Sequence, residues 1–72
     1  MVTFADRLKQ CRKNIGKTQS EMADDLGISE NGYQNYELGN REPKMETLNK
    51  LADYFDVSID YLTGRDDIPN RK

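Results

Sequence analysis

The 72-residue chain contains no histidine, no tryptophan, one cysteine and two prolines. Without an imidazole base, and with a single thiol, it lacks the means for most metal centres and for every histidine-based catalytic arrangement. Cys11 has no partner for an internal disulfide, and it falls on the apolar stripe Phe4, Leu8, Cys11, Ile15. That placement favours a buried thiol over a redox sensor. No apolar run approaches membrane-spanning length, and the mixed opening MVTFADRLKQ does not read as a signal peptide, so the chain is expected in the cytoplasm. Repeats, heptads and low-complexity segments are also missing. So are a nucleophile beside a base and a glycine loop that could cradle phosphate, and an enzyme is therefore not expected. No cofactor or small-molecule ligand is implied.

What remains is a third charged and 35% hydrophobic, the composition of one small soluble domain near the lower size limit for a self-sufficient core. A formal net charge of -2 and a pI near 5.0 argue against a generic nucleic-acid binder, whose backbone affinity comes from Lys and Arg. The distribution qualifies this. Arg7, Lys9, Arg12, Lys13 and Lys17 crowd the start of the chain against Asp6 alone. Residues 18–37 hold no Lys or Arg, but they carry Glu21, Asp24, Asp25, Glu30 and Glu37. Any positive surface must come from the flanks.

The informative stretch is Gln19 to Leu38, in which Met22, Ala23, Leu26, Ile28, Tyr33 and Tyr36 form two helical stripes interrupted at Gly27. Ala23 is small enough for a second helix to cross it closely. Gly27 suits the left-handed exit of a sharp turn, and Ser29 can cap the next helix. The pattern predicts a helix-turn-helix over residues 19–38. If Ile28, Tyr33 and Tyr36 face the core, then Glu30, Asn31, Gln34 and Asn35 face away, with Ser29 leading. Asn and Gln offer a donor and an acceptor side by side, the pairing that an adenine edge presents in the major groove. A merely solvated face is the competing reading.

Around this unit, Phe4, Ala5, Leu8, Cys11 and Ile15 predict a first helix over about Thr3 to Ile15, capped by Thr3 and ended by Gly16. Arg12 beside its stripe is either solvated or turned inward to pair with a buried acid. Thr18 and Glu21 form a capping box for the second helix, whose amino end, with Gln19, could receive a phosphate. Gly32 inside the third helix costs about 1 kcal/mol relative to alanine. Either another backbone approaches closely there or stability suffices without the side chain. The loop Gly39, Asn40, Arg41, Glu42, Pro43, Lys44 offers amides and two cations as a phosphate clamp, or is simply a surface loop. Met45, Leu48, Leu51, Ala52 and Phe55 predict a fourth helix. Ser58 begins a short fifth, Ile59 to Thr63, stopped by Gly64. Residues 65–72 read as a flexible tail. Tyr54, Tyr61 and Ile68 are expected to be exposed near the carboxyl end and are candidates for a dimer surface.

Arg12, Thr18-Gln19, Ala23, Leu26-Gly27-Ile28-Ser29, Tyr36-Glu37, Gly39, Arg41 and Pro43 resemble the Cro and phage-repressor type of helix-turn-helix, also called the xenobiotic-response-element family. The match continues through Thr47-Leu48, Lys50-Leu51-Ala52, Phe55, Val57-Ser58, Asp60, Leu62 and Gly64. The resemblance implies an all-α, compact five-helix, lambda-repressor-like domain over residues 1–64. It also implies that the chain is a transcriptional repressor, binding double-stranded operator DNA as a homodimer with its third helix in the major groove.

Base reading would fall to Ser29, Glu30, Asn31, Gln34 and Asn35, and phosphate binding to Lys17, Thr18, Gln19, Asn40, Arg41 and Lys44. Arg12 and Glu37 would form a largely buried ion pair. Glu30, Asn40, Lys17, Lys44 and Tyr33 depart from the family's commonest residues. The rival expectation is a protein-interaction module, such as an antitoxin, on the same fold.

Overall fold

Five short helices succeed one another through the described residues, 2–69, of the structure, a computed structural model: α1 Phe4–Asn14, α2 Gln19–Leu26, α3 Glu30–Leu38, α4 Met45–Phe55 and α5 Ile59–Leu62. No strand occurs among the described residues. The starts are written locally. The Thr18 hydroxyl accepts the Glu21 amide at 3.1 Å, and the Glu21 carboxylate accepts the Thr18 amide at 2.9 Å, which is the expected capping box. Thr3 and Asp6 make a second such box at α1. Ser29 and Ser58 accept the amides of Gly32 and Tyr61, each at 3.0 Å. Only α4 begins without a side-chain cap, because Lys44 has no oxygen to offer.

The ends repeat one device. After each helix a residue takes positive φ (Gly16, Gly27, Gly39, Asp56 and Gly64), and the next amide reaches back past it. The bonds run from Lys17 to the Arg12 carbonyl, Ile28 to Ala23, Asn40 to Asn35, Val57 to Ala52 and Arg65 to Asp60. This closure satisfies carbonyls that a helix end leaves orphaned. Asp56 was not foreseen as the end of α4. Its side chain is among the few that tolerate the left-handed region.

Leu8, Met22, Tyr33, Leu51 and Leu62 are wholly buried and form the core with Cys11, Ala23, Ala52 and Val57. α3 packs on α2 and α1, and α5 rests on α1 and α4. Ala23, 3% exposed, is part of the core on α2, the helix that packs most extensively on α3.

Several expectations are corrected. Ile15 is 46% exposed, since α1 stops at Asn14 and the stripe's register lapses there, and Met45 opens α4 at 61% exposed. Arg7, counted among the surface cations, is buried. Its guanidinium carbon lies 3.9 Å from the centre of the Tyr61 ring, and its Nη2 lies 3.6 Å from the Asp67 carboxylate. Tyr61 and Tyr54, expected to be exposed, are half-buried. The Tyr54 hydroxyl donates to Asp25 at 2.5 Å, and its ring meets Phe55 edge-on. Of the segment expected to be a loose tail, the Arg65 and Asp66 amides bond to the Asp60 carbonyl. Ile68 is exposed, and residues 70–72 lie outside the described residues.

Gly27 and Gly64 separate two causes of a glycine requirement. A Cβ on Gly27 would meet nothing within 4 Å, whereas one on Gly64 would sit 2.2 Å from the Val2 carbonyl oxygen. Gly27→Ala should therefore cost only the left-handed strain, about 1 to 2 kcal/mol. Gly64→Ala should cost at least about 1 kcal/mol more, because the chain start must also move. Urea midpoints of the two variants measure the difference, and equal losses would contradict it.

Candidate nucleic-acid interface

Helix α3 is held from one side and open on the other. Tyr33 is fully buried, and Ile28 and Tyr36 pack half-buried against the core. The opposite side carries Ser29, Glu30 and Asn31, all exposed, and Gln34 and Asn35, half-exposed. The five residues expected to read bases therefore lie together on the leading end and free face of one helix. Ser29 also caps that helix. Gln34 Nε2 donates to Glu30 Oε2 at 3.3 Å, one turn earlier. A Cβ on Gly32 would lie 3.1 Å from the Ser29 hydroxyl and near no other element's backbone, so the space belongs to the cap and not to a crossing helix.

The other side of α3 ends in a buried carboxylate. Glu37 Oε2 accepts from Arg12 Nε at 2.6 Å and from the Tyr33 hydroxyl at 2.5 Å. Glu37 Oε1 accepts from Arg12 Nη2 at 3.2 Å and from Gln19 Nε2 at 3.1 Å. Arg12 Nη1 donates to the Lys17 carbonyl at 2.9 Å. The Glu37 side chain is only 3% exposed and that of Arg12 12%. Burial pushes the Glu37 carboxyl up, but the bonds from Arg12, Tyr33 and Gln19 together outweigh it and hold the group below its ordinary value. Burial, reinforced by the negative acceptor, drives the Tyr33 phenol upward, so it remains a donor. The ion pair is thus present as expected, with two partners that sequence reasoning missed. For Tyr33 a signal existed in its spacing of one turn from Glu37; for Gln19 there was none. Cys11 is buried as expected, and burial raises its thiol.

The residues proposed for phosphate fall into two groups. Asn40, Arg41 and Lys44 have exposed side chains in the loop after α3. The amides of Gly39, Asn40 and Arg41 are already used, bonding to the Tyr36 and Asn35 carbonyls. The helix closure thus takes up these three of the amides anticipated for a phosphate clamp. Before α2, Thr18 is exposed, and its amide and hydroxyl are occupied by the capping box. Gln19 turns its amide inward to Glu37. Lys17 Nζ lies 3.7 Å from Asp25, a half-exposed contact. No group of three or more His, Cys, Asp or Glu among the described residues is arranged to hold a metal, and no helix of the described residues is long and apolar enough to cross a membrane.

Because the Glu37 carboxyl is lowered in the folded chain, its contribution to stability is complete above its unfolded value, about 4.3, and is lost as pH falls through the folded value. Tyr33→Phe removes one donor and should cost about 1 to 3 kcal/mol at neutral pH. It should also shift the acid loss of stability to higher pH. Glu37→Gln, which leaves Arg12 buried without its charge partner, should cost about 3 to 5 kcal/mol and flatten that loss. Urea unfolding across a pH series reads all three chains.

Residues 8–62 match a family model described as helix-turn-helix. The chain is 49% identical over 59 residues to the SPbeta prophage-derived uncharacterized HTH-type transcriptional regulator YonR of Bacillus subtilis (strain 168), covering 82% of this chain and 55% of that protein. It is 52% identical over 60 residues to the cryptic phage CTXphi transcriptional repressor RstR of Vibrio cholerae serotype O1, covering 83% and 54%. Among solved structures it is similar to a transcriptional regulator from Listeria innocua, with a TM-score of 0.82 at 34% identity, over 86% of this chain and 58% of that one. The chain thus spans about half the length of the curated relatives it matches. With the match covering α2, α3 and the packing around them, the chain belongs to the helix-turn-helix family of the Cro and phage-repressor type.

Proposed function

We propose that this chain is a DNA-binding transcriptional regulator, a repressor, that lays α3 in the major groove of operator DNA in the cytoplasm. The observation that carries the reading is the division of α3 itself. Tyr33 and Glu37 are fastened to the rest of the domain, while Ser29, Glu30, Asn31, Gln34 and Asn35 share the leading end and open face. A helix so held can present side-chain amides to base edges without rearrangement. The relatives are named as transcriptional regulators and a phage repressor, which supports the same reading and a non-enzymatic role. Binding as a two-fold dimer would set the two α3 helices on half-sites about 34 Å apart. Arg41, Asn40 and Lys44 would grip phosphate beside α3, and Lys17, Thr18 and Gln19 would lie at the start of α2. The mechanism is then steric, with the bound dimer occupying DNA that polymerase needs.

A second reading, a protein-interaction module, draws on the acidity of the motif, where Glu21 and Asp24 are exposed and Lys17 leans on Asp25. Salt separates the two, since contacts to phosphate weaken steeply with added salt.

Selection from a random duplex pool should return a shared, two-fold symmetric word. On that word Gln34→Ala should cost about 1 to 3 kcal/mol and relax preference at one base step. Arg41→Ala should weaken all sequences alike and reduce the salt slope by about one. Enrichment without a shared word would refute the proposal.

A further inference from the structure

Glu30 and Gln34 stand one turn apart on the open face of α3, and the Gln34 Nε2 donates to Glu30 Oε2 at 3.3 Å. An ionised carboxylate only accepts, so the contact decides which end of the Gln34 amide turns toward Glu30. It must be the amino end. The Oε1 carbonyl and the second Nε2 hydrogen are then left for another partner, one acceptor and one donor on the same amide. That is the complement of the N6 donor and N7 acceptor of adenine in the major groove. Without such a tether, a long, half-exposed glutamine spreads over many rotamers and loses that freedom on binding. Glu30 also occupies the first residue of α3, where the helix dipole favours an anion, so its charge is accommodated in the free chain.

We propose that Glu30 is a positioning residue that holds the Gln34 amide in the orientation that reads adenine, and does not itself read a base. The inference rests on α3 being the base-contacting helix. It explains why an acidic residue stands on a face proposed to enter the groove of an anionic duplex: its service is to its neighbour.

The test measures binding of wild type, Glu30→Ala, Glu30→Gln, Gln34→Ala and the Glu30→Ala/Gln34→Ala double variant to the selected duplex and to its single-base variants. Glu30→Ala should lower the preference for adenine at the Gln34 step by about 2- to 10-fold, the scale of one side chain's ordering. Glu30→Gln can accept from Gln34 through its carbonyl but can also donate to its oxygen, so it fixes the amide less surely and should fall between wild type and Glu30→Ala. In the Gln34→Ala background, Glu30→Ala should alter no base preference. In the free protein, the side-chain amide resonances of Gln34 should move in Glu30→Ala and less in Glu30→Gln.

The inference is overturned if Glu30→Ala and Gln34→Ala change preferences at different base pairs, or add independently. It is overturned too if Glu30→Ala removes a preference for cytosine that survives Gln34→Ala, which would make Glu30 a reader in its own right. A wild type with no sequence preference would instead remove the parent reading, and this inference with it.

Discussion

The buried carboxylate of Glu37 is the point on which the domain turns. A carboxylate taken out of water is costly unless each lone pair is matched. Here the donors come from α1 through Arg12, from α2 through Gln19, and from α3 itself through Tyr33. Satisfying one charge thus imposes a relative position on three helices. Apolar contacts alone would hold them together with less directional demand, since burial is nearly indifferent to small slides. The consequence for the open face is direct. With residues 33 and 37 fastened behind, residues 30, 31, 34 and 35 have one direction left, away from the protein.

So small a chain has little core with which to stabilise helices of four to eleven residues, lengths at which isolated helices are marginal in water. The termini carry much of the specification. Four of the five helices begin on a Ser or Thr cap, and all five end in the same left-handed closure. These bonds leave few orphaned backbone groups, and they also decide what the loops can offer a ligand. The amides of Gly39, Asn40 and Arg41, once engaged, are not available to phosphate.

Charge shows the same economy. Arg7 is spent on the Tyr61 ring, Arg12 on Glu37, and Lys17 leans on Asp25. Counting cations near the start of the chain therefore overstates its positive surface. With Arg7 and Arg12 so employed, positive surface is left to exposed side chains such as Lys9, Lys13, Arg41 and Lys44.

The helices, their caps, the turn at Gly27 and the open face of α3 were legible in the amino-acid order alone. Capping joins residues three apart, and helical stripes repeat every three or four, so the information is local. The Arg12–Glu37 pair was foreseeable only through family resemblance, since spacing left the direction of Arg12 undecided. Arg7 could have been suspected, because it lies on the same stripe as Phe4, Leu8 and Cys11. Its stacking on Tyr61, the Gln19 bond to Glu37 and the Tyr54 bond to Asp25 could not. Those contacts join residues 18 to 54 positions apart, and they exist only once the helices have crossed at particular angles. Periodicity says which side of a helix is inward. Which partner waits there is decided by packing in three dimensions.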